Sequence, residues 1–154
     1  MKASRRDPGA KGATDMRGIQ GILEAAVYAE DLDAAEAFYG GALGLVRIQR
    51  VRDRHVFYRA GPSVLLVFNP AETVKPAPPG ALPVPPHGAR GPGHVCLAAE
   101  GAELDALKTR LLAHGVEIEA DFHWPNGARS IYVRDPAGNS VELAEWRLWR
   151  PVAE

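Results

Sequence analysis

The chain runs twice through one order of signals: an apolar strand-like run, a helix closed by glycine, then three short strand-like runs. In the first pass residues 22–29 read as a strand. Asp31 offers an N-cap, and Leu32, Ala35, Phe38, Tyr39 and Ala42 recur at helical spacing until Gly44 stops the helix. Strands are expected over 45–51, 55–60 and 64–68, with Gly61-Pro62 turning the last two into a hairpin. The second pass has a strand over 94–99 and a helix over 103–114 that buries Leu104, Leu107, Leu111 and Leu112 before Gly115. Strands over 116–122, 129–134 and 140–146 follow, and Asp135-Pro-Ala-Gly-Asn139 supplies strong turn chemistry between the last two.

Each pass is a βαβββ unit, spanning 22–69 and 93–146. A four-stranded sheet of this size cannot bury its apolar face alone, so two units must pack together, within the chain or across a dimer. Residues 70–92 hold eight of the thirteen prolines and read as a stiff, extended linker, excluded from helix or strand interiors. Laid over each other, the units match Ser63-Val64-Leu65-Leu66 with Ser140-Val141-Glu142-Leu143, so Glu24 takes the place of His94 and Leu65 that of Glu142.

Length and charge narrow the partners. The 154 residues, 46% of them hydrophobic, suit one domain over 19–149. A net charge of −1 gives no electrostatic reason to expect nucleic acid or an anionic membrane. No apolar run is long enough to span a bilayer. Residues 1–18 are basic and Gly-rich without an apolar stretch, and read as a disordered arm rather than a secretory signal. Cys96, the single cysteine, allows no internal disulfide and fits a reducing cytoplasm; within an apolar strand it reads as packing.

Three residues stand out chemically. Glu24, His94 and Glu142 each interrupt an apolar strand run, where a carboxylate or imidazole is costly unless paired. A divalent cation would satisfy all three, since carboxylate oxygen and imidazole nitrogen are its usual donors. The alternatives are a core histidine bonded to a carbonyl and glutamates on solvent-facing strand positions. Ser130 and Tyr132, two positions apart, share a strand face. His123, Trp124, Asn126 and Arg129 cluster at a Pro-Asn-Gly turn and suit either a lid that grips an acidic substrate or an ordinary polar loop. His55, Tyr58, His87, His114 and the run Arg47, Arg50, Arg52, Arg54 take structural readings.

Three separated stretches carry a family resemblance. They are Glu30-Asp31-Leu32 running through Ala37-Phe38-Tyr39 to Leu43-Gly44-Leu45, then Ala113-His114-Gly115-Val116, then Ser130 through Asn139 leading to Val141-Glu142-Leu143. Over roughly residues 20–147 the chain resembles the vicinal oxygen chelate superfamily of glyoxalases, extradiol dioxygenases, fosfomycin-resistance transferases and bleomycin-resistance proteins. The resemblance implies an α+β fold whose two βαβββ units curve into a partly closed barrel or cup, a homodimer, and a small oxygenated substrate. It implies metal ligands on the first and last strand of each unit, here Glu24, Leu65, His94 and Glu142, of which Leu65 cannot serve. Three ligands leave room for water and substrate.

Two carboxylates with one imidazole favour Zn, Ni, Co, Mn, Fe(II) or Mg. Tyr132 at this place faces substrate in relatives and would steady a developing oxyanion, with Glu142 doubling as base. Leu65 counts against a standard glyoxalase I, and Glu24 against a standard dioxygenase or fosfomycin enzyme. The expectation is a metal-dependent lyase, isomerase, dioxygenase or thiol transferase. Its alternative is a metal-free binder of drug-like molecules with Trp124, Trp146 or Trp149 in its groove.

Overall fold

A computed structural model describes residues 18–149; most of the arm expected over 1–18 lies outside the described residues. The first unit runs β1 (Glu24–Tyr28), α1 (Leu32–Glu36) continuing as a π-helical segment (Ala37–Ala42), β2 (Val46–Val51), β3 (His55–Ala60) and β4 (Ser63–Phe68). The second runs β5 (His94–Ala99), α3 (Leu104–Ala113), β6 (Ile118–His123), β7 (Arg129–Arg134) and β8 (Ser140–Glu145). A short helix, α2 (Pro70–Thr73), lies between them.

The strands form two four-stranded mixed sheets of identical order, β1-β4-β3-β2 and β5-β8-β7-β6. In each, the first strand pairs parallel with the last and the other neighbours are antiparallel. The sheets stay open rather than closing into a barrel. This is the α+β architecture of two βαβββ units expected from the repeat.

Local chemistry explains the ends. Asp31 caps α1, its carboxylate accepting from the Ala34 amide at 2.9 Å. Gly44 and Gly115 both take φ +73°, so each unit stops its helix with glycine at the matching place. The first helix widens over Gly40-Gly41, where the ring of Tyr58 approaches to 3.5 Å of where a Cβ on Gly40 would lie.

Leu112, which the helical spacing places on the buried side, is 53% exposed, and two further expectations need correction. Pro70 opens a helical turn instead of extended linker, because proline is tolerated at the first helical position and Asn69 caps it through the Ala71 amide. The linker beyond is anchored: His87 Nδ1 meets the Tyr28 hydroxyl at 2.9 Å.

The second correction is one of register. Glu24 pairs with Val64 as His94 pairs with Ser140, so Leu66, not Leu65, occupies the place of Glu142. Phe57 and its partner Leu66 are nine residues apart, whereas Tyr132 and its partner Glu142 are ten apart, so an overlay by letters alone slips by one. A slip of one exchanges the faces of a strand.

One core spans both units. Val27, Val56, Tyr58, Leu65 and Val67 from one sheet join Val95, Ile131, Val133, Val141 and Leu143 from the other, with Leu32, Phe38, Leu104 and Leu111 from the helices. Glu24 and Glu142 therefore lie on the face of each sheet turned from this core. No helix among the described residues is long and apolar enough to cross a membrane.

Candidate functional site

Strand pairing assembles the site on the outer face of the second sheet. Glu142 on β8 lies opposite Cys96 on β5 and opposite Tyr132 on β7, so all three side chains share that face. His94 and Ser130 lie two positions from Cys96 and Tyr132 and join them. Glu142 is only 5% exposed. Its Oε1 accepts a 2.6 Å hydrogen bond from the Ser130 hydroxyl, and its Oε2 lies 3.4 Å from His94 Nε2.

His94 is half exposed and held from behind: its Nδ1 lies 3.2 Å from Ser140 Oγ. With the hydroxyl engaging Nδ1, Nε2 is the nitrogen turned to Glu142. The rings of His94, Tyr132 and Phe122 lie nearly parallel across the sheet, with centroids 6.2 and 5.8 Å apart. Burial, then the Glu142 carboxylate, push the Tyr132 phenol up to about 12, so it stays protonated and can donate.

Cys96 departs from the packing reading. It is exposed on the site face, two residues from His94, and strand alternation alone could have placed it there. Burial of the sulfur on its sheet side and the neighbouring Glu142 push its thiol up to about 12. At neutral pH it is a thiol and a poor nucleophile.

The loop residues are less available than the sequence suggested. Ser130 has no exposed surface, so it supports Glu142 rather than touching a substrate. Trp124 donates its indole N–H to Ser130 Oγ at 2.8 Å. Arg129 is engaged by Asp121 at 2.7 Å and Asp105 at 2.7 Å, leaving no free guanidinium to grip an acid. Asn126 donates to the Leu148 carbonyl and accepts from the Ala128 amide, which is a structural role. His123 is exposed at the end of β6.

The donors fit part of a cation site. Metal bonds of about 2.1 Å at tetrahedral or octahedral angles place two donors roughly 3.0–3.4 Å apart, and His94 Nε2 and Glu142 Oε2 meet that spacing. Glu24 does not join them within one chain. It is exposed at the start of β1, and among the described residues no three His, Cys, Asp or Glu side chains gather as a metal-binding group. The corresponding face of the first sheet is aromatic, with His55 stacked on Phe57 at 4.1 Å and Leu66 where the second sheet has Glu142.

Comparison with known proteins agrees with this architecture. The profile of the Glyoxalase/Bleomycin resistance protein/Dioxygenase superfamily matches residues 21–143. A lactoylglutathione lyase from Agrobacterium tumefaciens is 44% identical, with a TM-score of 0.80 covering 88% of this chain and 100% of that one. The fosfomycin resistance protein FosX from Mesorhizobium loti, 18% identical, shares the fold with a TM-score of 0.58 over 84% of this chain and 95% of its own. So does a glyoxalase/bleomycin resistance protein/dioxygenase from Nocardioides, 21% identical, with a TM-score of 0.63 over 88% and 89%. No curated protein matches the chain. The extent of the profile match and the 44% identity establish that the chain belongs to the glyoxalase/bleomycin resistance protein/dioxygenase superfamily.

Proposed function

We propose that this protein is a divalent-metal-dependent lyase or isomerase acting on a small oxygenated substrate, with chemistry of the kind that gives its Agrobacterium relative the name lactoylglutathione lyase. One observation carries the reading: His94 Nε2 and Glu142 Oε2 converge at 3.4 Å on a sheet face where Glu142 is almost wholly buried. A carboxylate is kept so far from water when something else stabilises its charge.

His94 and Glu142 would hold the ion, and Glu24 of a second copy would complete the set, making the homodimer the working unit. The ion would supply Lewis-acid stabilisation of charge developing on a substrate oxygen. Tyr132, protonated well above neutral pH, donates its phenolic hydrogen to that oxygen. Glu142 Oε2, the carboxylate oxygen not taken by Ser130, would bind the ion, and only when released from it would it receive a proton from substrate or return one. Phe122 and Tyr132 would supply apolar ring surface beside the guest.

The test is Mn, Ni and Zn uptake by the purified chain, with lactoylglutathione turnover followed by absorbance. About one ion per chain, lost in Glu142→Gln together with turnover, supports the reading. Absence of ion uptake in the unmodified protein sinks it. Metal-free binding of a drug-like molecule is favoured by one feature, the partly exposed Phe122 beside Trp124 and Tyr132. It would show as ligand affinity that Glu142→Gln leaves unchanged.

A further inference from the structure

We propose that Trp124 and Ser130 are positioning residues: a one-way hydrogen-bond relay from the Trp124 indole through the Ser130 hydroxyl fixes Glu142 so that only Oε2 faces the site. The inference rests on the reading of Glu142 as a metal ligand and adds what orients it.

The direction of the relay follows from the donor inventory. An indole N–H can only donate, so Ser130 Oγ accepts at 2.8 Å and its single hydrogen is directed to Glu142 Oε1 at 2.6 Å. Oε1 is thereby occupied, and the carboxylate presents one oxygen to His94 rather than two. Ser130 has no exposed surface, so neither water nor substrate competes for its hydroxyl.

The indole is itself held by a braced hairpin. The Trp124 amide donates to the Ala128 carbonyl at 2.8 Å, and the Gly127 amide donates to the Trp124 carbonyl at 2.7 Å. Gly127 turns through φ +80°, a conformation that glycine adopts without strain. Asn126 ties the same turn to the chain's C-terminal segment through the Leu148 carbonyl at 3.0 Å.

The other half of the molecule supplies an internal control. Strand register gives His55 the place of Ser130 and Leu66 the place of Glu142. Where there is no carboxylate there is no hydroxyl to aim it, and His55 instead stacks on Phe57. The relay goes with the acid.

The experiment uses full-length 15N-labelled protein as wild type, Ser130→Ala, Trp124→Phe and Glu142→Gln, without added metal and then with Mn. Trp124→Phe identifies the Trp124 indole resonance by its disappearance and keeps an aromatic ring in place. The proposal requires that resonance to shift in both Ser130→Ala and Glu142→Gln, and to exchange with solvent faster in Ser130→Ala, which removes its acceptor, than in the wild type. Mn affinity should fall about tenfold in Ser130→Ala and about threefold in Trp124→Phe, with the metal-free unfolding midpoint of Trp124→Phe close to wild type. An indole resonance blind to Glu142→Gln overturns the relay. So does unchanged Mn affinity in Trp124→Phe, the variant that still serves if Ser130→Ala fails to fold. If the wild type takes up no Mn while the indole still responds to Glu142→Gln, the relay is supported as the device that orients Glu142, and the metal reading is what fails.

Discussion

Tyr39 donates its phenolic hydrogen to Asp135 Oδ2 at 2.7 Å, a buried bond that joins the helix of the first unit to the β7–β8 turn of the second. The same carboxyl group accepts from the Ala137 and Asn139 amides and from the Asn139 side chain. Burial and the Asp135 carboxylate push the Tyr39 phenol far up, so it is always a donor. Tyr39→Phe removes one donor from a buried charge and should cost about 1–3 kcal/mol. Urea unfolding of the full chain checks this, and a midpoint equal to wild type would refute it.

Asp121 predicts the acid limb of stability. Hydrogen bonds from Arg129 and Lys108 hold its carboxyl well below the usual carboxylate range. A folded-state pKa below the unfolded one gives stability that is present above the ordinary carboxylate pKa. That stability is lost as pH falls through the ordinary value towards the depressed one. Asp121→Asn should therefore be less stable than wild type near pH 7 by about 1–2 kcal/mol. The two proteins should converge on acidification. Parallel stability curves from pH 7 down to pH 2 would contradict the assignment.

Ligand linkage predicts a thermal signature for the ion. Mn at about a hundred times its dissociation constant should stabilise the folded chain by about 2.7 kcal/mol, seen as a rise in Tm that excess chelator reverses. His94→Ala and Glu142→Ala should each abolish the rise. A metal-dependent Tm that survives both substitutions would place the ion elsewhere.

Glu24 makes a separate prediction because it stands apart from the other two donors within one chain. Glu24→Ala should weaken Mn binding while leaving metal-free stability within about 0.5 kcal/mol of wild type, as for an exposed position. Mixing Glu24→Ala with Glu142→Ala under conditions that exchange subunits should restore binding to a fraction of sites if the copies complement each other. No recovery in the mixed sample would count against a shared site.

The sequence carried the architecture because its signals are local. Glycine stops at Gly44 and Gly115, the Asp31 cap and the turn at Asp135–Asn139 each act within a few residues, and the structure has them where expected. The parallel register of β4 on β1 was not legible, since it is set by pairing between segments forty residues apart and by unequal hairpins. That is why Leu65 stood in for Leu66. The burial of Ser130 and the commitment of Arg129 were hidden for a similar reason. Both depend on which neighbour, Glu142 or Asp121, the tertiary fold brings within reach. Cys96 was within reach of period-two reasoning, but its apolar neighbours argued for the core.

The correction from Leu65 to Leu66 has a practical side for anyone rebuilding this scaffold. A carboxylate grafted at 66 would be introduced on the same side of its sheet as Glu24, and could serve as an additional ligand. The same graft one residue earlier would drive a charge in among Val56, Val67 and Tyr58 and would be expected to unfold the chain. Adjacent leucines, alike in size and both shielded from water, thus separate a candidate gain of function from outright loss of the protein.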